Sequence, residues 1–189
     1  MVLLITALEI ILVVLAGVLV IIYNTLVSLR NNVSKAWANI DVLLEKRHDL
    51  IGRLVETVKG YMNYERSLLV QITAMRTSWS NVQQDRDPQN KMKASNQITA
   101  ALKTVIANRE NYPDLKTDNT FIELMQALTE IEDQIADRRE FYNDTVNIYN
   151  TKIKVIPYNL LSGALHYAPL QYFSAPDQDR KQVDVDLGR

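Results

Sequence analysis

The first 22 residues, MVLLITALEIILVVLAGVLVII, decide what kind of protein this chain is. Every side chain in this stretch is apolar except those of Thr6 and Glu9. A helix rises about 1.5 Å per residue, so about 20 apolar residues cross the roughly 30 Å hydrocarbon core of a bilayer. The stretch therefore predicts a single transmembrane helix, which we place at residues 1–23.

A cleavable signal peptide is the alternative interpretation of this stretch. Such a peptide begins with basic residues, has a shorter apolar region and ends in small residues at the cleavage site. Here no Lys or Arg precedes Arg30, and bulky Tyr23 and Leu26 follow the apolar run. We therefore expect an uncleaved anchor. Because positive charge near a span tends to stay in the cytoplasm, we also expect the N-terminus outside and the remaining chain in the cytoplasm.

Glu9 is a carboxylate within the predicted span. Intramembrane carboxylates are rare and are often functional, so Glu9 is a candidate for contacts between anchor helices in an oligomer. The alternative is that Glu9, near the outer end of the helix, reaches the lipid headgroups or takes up a proton.

The composition narrows the function classes. The chain has 189 residues, a formal net charge of −1 and no cysteine. A nearly neutral chain gives no electrostatic reason to expect nucleic acid as a partner. The lack of cysteine excludes disulfides, thiolate catalysis and cysteine-based zinc sites.

Beyond the anchor, apolar residues recur at the heptad spacing of a coiled coil, which predicts a long amphipathic helix ending before Gly60. The rows are Leu26, Val33, Ile40 and Leu54; Trp37, Leu44, Ile51 and Val58; and Leu29, Ala36, Leu43 and Leu50.

The chain after the anchor is predicted to be all-α, with a four-helix bundle at residues 24–156. Its helices are expected at residues 24–59, 63–82, 88–110 and 118–156. Short connections make consecutive helices antiparallel, so the expected order is up-down-up-down. Residues 157–173 are apolar and aromatic, and they either pack at the base of the bundle or lie in the membrane interface. Residues 174–189 are expected to form a flexible tail.

Tyrosine–asparagine pairs recur along the chain. They are Tyr23-Asn24, Tyr142-Asn143, Tyr149-Asn150 and Tyr158-Asn159. Asparagine is a poor residue for a helix interior, so we expect a polar layer in which Asn24 lies within side-chain reach of Asn150 or a neighbour one turn away. The alternative is that each asparagine faces water and the tyrosines are core residues.

Three further motifs have more than one interpretation. Glu45 and His48 have the Glu-x-x-His spacing of di-iron bundles, but that chemistry needs a second such motif. Lys46-Arg47-His48 fits either a surface face or a patch for lipid phosphates. The segment 112–116, with Tyr112 and Asp114, fits a connecting loop, after which Asp114 or Asp118 caps the fourth helix. The alternative is a partner-binding loop. No cofactor or metal site is predicted.

Several strings together resemble the LemA family of bacterial membrane proteins. They are Tyr23-Asn24 with Arg30, Ala36-Trp37 with Ile40-Asp41-Val42, residues 47–51, residues 54–61, residues 112–116 with Phe121, Tyr142-Asn143, Tyr149-Asn150 and Pro157. The resemblance covers about residues 1–173. It implies an N-terminal membrane helix followed by a four-helix bundle, in the bacterial inner membrane.

The functional expectation is a non-catalytic, membrane-anchored scaffold or adaptor. Its expected partners are the lipid bilayer, further copies of itself as a homo-oligomer, and another membrane or membrane-associated protein. The alternative is an enzyme or metal-binding bundle whose site a single sequence does not reveal.

Overall fold

The structure is a computed structural model that describes residues 1–61, 65–85 and 87–174. Every regular element in this part of the chain is helical. The helices are α1 (Val2–Lys59), α2 (Arg66–Ser80), α3 (Pro88–Ala107), a short 3-10 helix (Arg109–Asn111), α4 (Asn119–Lys152) and α5 (Tyr158–Ala164). The prediction of an all-α chain is therefore confirmed for the described residues.

The anchor and the first amphipathic helix form one continuous helix, α1, with no break at Asn24. All residues from 1 to 21 are exposed, whereas Ile22 is only 4% exposed. Among the described residues, α1 alone is long and apolar enough to cross a membrane. One helix thus changes from an exposed apolar surface to a buried packing stripe at Ile22.

Two compact units share α1. The first unit comprises Met1–Ala38 and Glu140–Tyr172, and the second comprises Asn39–Arg139 with the residues from Phe173 onward. In the second unit most members of the predicted heptad rows, from Ile40 to Val58, are buried. Its core includes Ile40, Leu44, Ile51, Leu54, Val58, Leu68, Ile72, Trp79, Ile98, Leu102, Phe121 and Leu128.

The ends of α2 and α3 differ from the prediction by two or three residues. The predicted start of the second helix at residue 63 lies outside the described residues. The structure gives Arg66–Ser80 for α2, and Ala107 ends α3, with a 3-10 turn in place of its expected last turn. The start of α3 is as predicted, since Pro88 occupies its first turn and Asp87 accepts a hydrogen bond from the Gln89 amide at 3.0 Å. An acidic cap followed by proline is a strong start signal for a helix.

Helix α4 ends at Lys152, whereas the sequence predicted residue 156. Ile156 precedes Pro157, and a residue before proline is disfavoured in the α conformation. The Ser162 hydroxyl donates to the carbonyl of Ile153 at 2.8 Å, which satisfies a carbonyl at the end of the helix. Residues 175–189, most of the predicted flexible tail, lie outside the described residues.

Candidate functional site

A buried arginine is the centre of a polar network in the second unit. Arg47 on α1 is 1% exposed. Its Nη1 donates to Glu132 Oε1 at 2.7 Å and to Thr99 Oγ1 at 3.0 Å, and its Nη2 donates to Ser95 Oγ at 3.0 Å. The expectation that Arg47 lies on a surface face is therefore wrong, because α3 and α4 supply a counter-charge and two acceptors that make its burial tolerable.

Two further hydrogen bonds connect the partners of Arg47 to one another and to Arg139. Thr99 Oγ1 donates to the second carboxylate oxygen of Glu132 at 2.7 Å, and Arg139 Nη2 donates to Ser95 Oγ at 2.8 Å. Burial lowers the pKa of Arg47, and the adjacent Glu132 carboxylate opposes that shift. Both carboxylate oxygens of Glu132 are thus engaged, so this cluster holds α1, α3 and α4 together.

A second charged pair lies near this network. Lys91 on α3 donates to Asp41 on α1 at 2.8 Å, and its ammonium lies 5.9 Å from the centre of the buried Trp79 ring. The Lys91 side chain is 10% exposed. This lysine therefore combines an ion pair with a cation–π contact, and both link α3 to neighbouring helices.

The start of α4 is fixed by Asp118. One carboxylate oxygen accepts from the Phe121 amide at 3.1 Å, and the other accepts from the Tyr61 hydroxyl at 2.8 Å. The hydrogen bond from Tyr61 is the main cause of a lowered pKa of Asp118 and also raises the pKa of Tyr61. Of the two predicted capping residues, Asp114 and Asp118, the structure assigns the role to Asp118.

Glu65, just before α2, is buried although it is acidic. Burial raises the pKa of its carboxyl group, and the charge of Asp114 raises it further. Burial likewise raises the pKa of Tyr112, with a contribution from Glu65. The candidate residues Tyr112 and Asp114 thus belong to one acidic and aromatic corner, in which Tyr112 is buried and Asp114 exposed.

In the first unit, Asn150 clamps the chain that follows α5. Its Nδ2 donates to the Leu170 carbonyl at 2.8 Å, and its Oδ1 accepts from the Leu170 amide at 2.8 Å. A side-chain amide that pairs with both the N–H and the C=O of one residue satisfies that residue's backbone as a neighbouring β-strand would. We call residues 168–172 the C-terminal strap.

Two tyrosines hold the strap on either side of Leu170. The Tyr149 hydroxyl donates to the Ala168 carbonyl, and the Tyr142 hydroxyl donates to the Gln171 carbonyl, both at 3.2 Å. Seven helical residues rise about 10.5 Å, and three extended residues reach about 10 Å. The heptad spacing of these tyrosines therefore matches an extended strap that runs back along α4.

The predicted polar layer between Asn24 and Asn150 stays a prediction. Both amide atoms of Asn150 bond to Leu170, and Asn24 is exposed. Asn143 is half-buried, Tyr23 is 48% exposed, and Glu9 is exposed within the apolar part of α1.

A groove of about 560 Å³ lies between the end of α3 and the start of α4 in the second unit. Its lining includes Ile106, Phe121, Ile122 and Met125, with an exposed pair at its rim in which Lys116 Nζ lies 3.2 Å from Glu110 Oε2. In the part of the chain that the structure describes, no group of three or more His, Asp or Glu side chains is arranged to hold a metal ion.

Comparison with known proteins identifies bacterial relatives of the chain. The pattern of the LemA family matches residues 36–187. Protein LemA of Metamycoplasma hominis is 25% identical over 162 residues, which cover 86% of this chain and 73% of that protein. The magnetosome protein MamQ 2 of Paramagnetospirillum magneticum is also 25% identical, over 80% of this chain and 64% of that relative.

A third relative, the magnetosome protein MamQ of Magnetospirillum gryphiswaldense, is 24% identical over the same shares of the two chains. The chain thus spans less than two thirds of the MamQ relatives. None of these names states a catalytic activity.

Proposed function

Because the chain belongs to the LemA family, we propose that it is a membrane-anchored, non-catalytic scaffold that works through contacts with other proteins. The observation that carries this proposal is the change along α1, from 21 exposed residues to a buried packing stripe that begins at Ile22. An exposed apolar helix of this length is expected in lipid, and the buried stripe makes the same helix part of the folded domain.

The polar clusters support a structural role. The carboxylate of Glu132 and the amide of Asn150 are engaged within the protein. A catalytic group needs a free, suitably tuned atom that faces a substrate. These groups instead link helices or hold the strap, as expected of a rigid scaffold.

In this proposal residues 1–23 span the inner membrane of a bacterium, with the N-terminus outside. Residues 24–156 form an up-down-up-down bundle in the cytoplasm, because Arg30, Lys35 and Lys46 follow the span and no basic side chain precedes it. The partners are the bilayer, further copies of this chain and a membrane or membrane-associated protein. Nucleic acid is not among them.

Two measurements on the full chain test this proposal. A green fluorescent protein fused to the C-terminus should fluoresce, and alkaline phosphatase fused there should be inactive; the reverse pattern would overturn the orientation. Photo-crosslinkers at exposed positions of α2 and α4 should give discrete protein adducts in native membranes. If no position gives any protein adduct, the scaffold proposal fails.

A further inference from the structure

The contacts within the first unit fix the depth of the end of α4 relative to the anchor. The rings of Trp37 and Tyr142 lie 5.9 Å apart, and the Arg30 guanidinium acts electrostatically on Tyr149. Each step of seven residues back along α1 matches seven residues forward along α4, so the two segments are antiparallel. The same register brings Lys152, the last residue of α4, level with about Val27. The turn that follows therefore begins about five residues, or roughly 7.5 Å, from Ile22, where the apolar part of α1 ends.

The turn at this level is apolar and exposed. Residues 153–165, which we call the apolar tip, join α4 to the strap and contain α5. Ile156 is 79% exposed and Leu160 is 73% exposed. Val155 and Leu165 are exposed as well, and the bond from Ser162 to the Ile153 carbonyl holds α5 against the end of α4.

Basic and aromatic residues accompany the apolar tip, as they do at the ends of membrane-spanning segments. The ammonium of Lys152 lies 4.1 Å from the centre of the Tyr158 ring, and the guanidinium of Arg30 lies 5.1 Å from that of Tyr167. No Asp or Glu occurs between Asp144 and Phe173. Tyrosines with basic neighbours prefer the boundary between lipid and water.

We propose that the apolar tip is a second membrane contact, inserted in the interfacial layer of the bilayer beside the anchor. Ile156 and Leu160 enter the acyl boundary, and Lys152 and Lys154 meet the headgroups of anionic lipids. The strap is excluded from this contact because it is bound along α4. This inference rests on the proposed function, since it takes the anchor to be in the membrane. Its consequence is that the first unit is held by two points and cannot turn freely about α1.

The lack of native cysteine permits a direct test with the full chain. Four variants each carry one cysteine with an environment-sensitive fluorophore: Ile156→Cys, Leu160→Cys, Ile10→Cys and Phe141→Cys. Ile10 reports the anchor. Phe141 is the matched control, because it is apolar, 54% exposed and about 16 Å along α4 from Lys152. The proteins are placed in vesicles of phosphatidylcholine and phosphatidylglycerol with quenchers either near the headgroup or deep in the acyl chain.

The proposal expects a blue shift at positions 156 and 160, with loss of fluorescence mainly to the shallow quencher. The label at position 10 should be quenched by the deep quencher, and the label at position 141 by neither. If position 10 is quenched while positions 156 and 160 report water, the apolar tip does not insert and the anchor stands. A blue shift without lipid quenching would mean that protein covers the tip, which also overturns the proposal. If position 10 is not quenched, the anchor itself fails and the proposed function fails with it.

Discussion

The Nη1 atom of Arg47 lies 2.7 Å from a carboxylate oxygen of Glu132, and the arginine side chain is 1% exposed. Removing a guanidinium from water costs several kcal/mol, and only a well-placed counter-charge with further hydrogen bonds offsets that cost. Ser95 and Thr99 supply those bonds from successive turns of α3. The pair therefore specifies how α1, α3 and α4 are aligned in the second unit.

Replacing Glu132 by alanine should reduce the free energy of unfolding by about 3 kcal/mol, because it leaves a buried charge uncompensated. The measurement is urea unfolding of the full chain in detergent micelles, followed by circular dichroism. Arg47→Met combined with Glu132→Leu should recover most of the loss, since both charges are removed together. Glu56→Ala breaks an exposed pair with Lys59 and should have little effect. Equal losses from Glu132→Ala and Glu56→Ala would contradict this assignment.

Replacing Asn150 by leucine should release the strap. The change removes two hydrogen bonds to Leu170, each contributing about 1 kcal/mol. The free energy of opening at the Leu170 amide should fall by about 2 kcal/mol, and hydrogen exchange at that amide should accelerate accordingly. Asn24→Leu is the matched control, because Asn24 is exposed. If Asn24→Leu accelerates exchange at Leu170 as strongly, the two asparagines are coupled and the strap is not held as described.

The buried Glu65 should make the protein less stable as the pH rises. Its folded-state pKa is raised, so its contribution to stability is present below the ordinary carboxyl pKa and is lost as the pH rises through the raised value. Glu65→Gln cannot ionise and should unfold at a higher temperature than the wild type near neutral pH. The measurement is the melting temperature of both chains across the acidic to neutral range, and a constant difference between them would contradict the prediction.

The contribution of Asp118 to stability should depend on pH in the opposite direction. Its pKa is lowered, so its contribution is present above the ordinary aspartate pKa and is lost as the pH falls through the lowered value. The advantage of the wild type over Asp118→Asn should therefore shrink on acidification. Asparagine can still cap α4, so the same melting series isolates the effect of the charge. An advantage that grows on acidification would rule out this role.

Removing residues 1–21 should release a water-soluble, helical domain. The cut leaves Ile22, the first buried residue of α1, in place. Circular dichroism and sedimentation of the truncated chain check the result. Little helical signal, or a domain that folds only with residues 1–21 attached, would show that these residues are needed for more than anchoring.

Substituting leucine for Glu9 tests the candidate role of that carboxylate in an oligomer. If anchors associate, the heptad that connects Glu9, Ala16 and Tyr23 should contribute to the contact. We expect Glu9→Leu to shift the size distribution of the full chain, measured by crosslinking in detergent and in lipid. Ile10→Leu controls for a change elsewhere in the anchor. An unchanged distribution in both environments counts against a role for Glu9.

The sequence alone determined the features that depend on neighbouring residues. The apolar run, the heptad rows and the Asp87-Pro88 start of α3 each carry their physical cause within one or two turns of chain. The sequence also contains a sign that Arg47 is buried, because Arg47 occupies the gap in the row Leu26, Val33, Ile40 and Leu54. That position predicts burial once the row is taken as a core stripe, but the row does not reveal the counter-charge.

Only the tertiary structure decided which distant groups meet. Glu132 is 85 residues from Arg47, and Leu170 is 20 residues from Asn150. A buried charge or amide is satisfied by whichever partner packing brings within about 3 Å, and no local pattern encodes that choice. In the same way, the tyrosine–asparagine pairs do not reveal that Tyr149 and Asn150 bind the backbone of the strap, whose polar groups need partners.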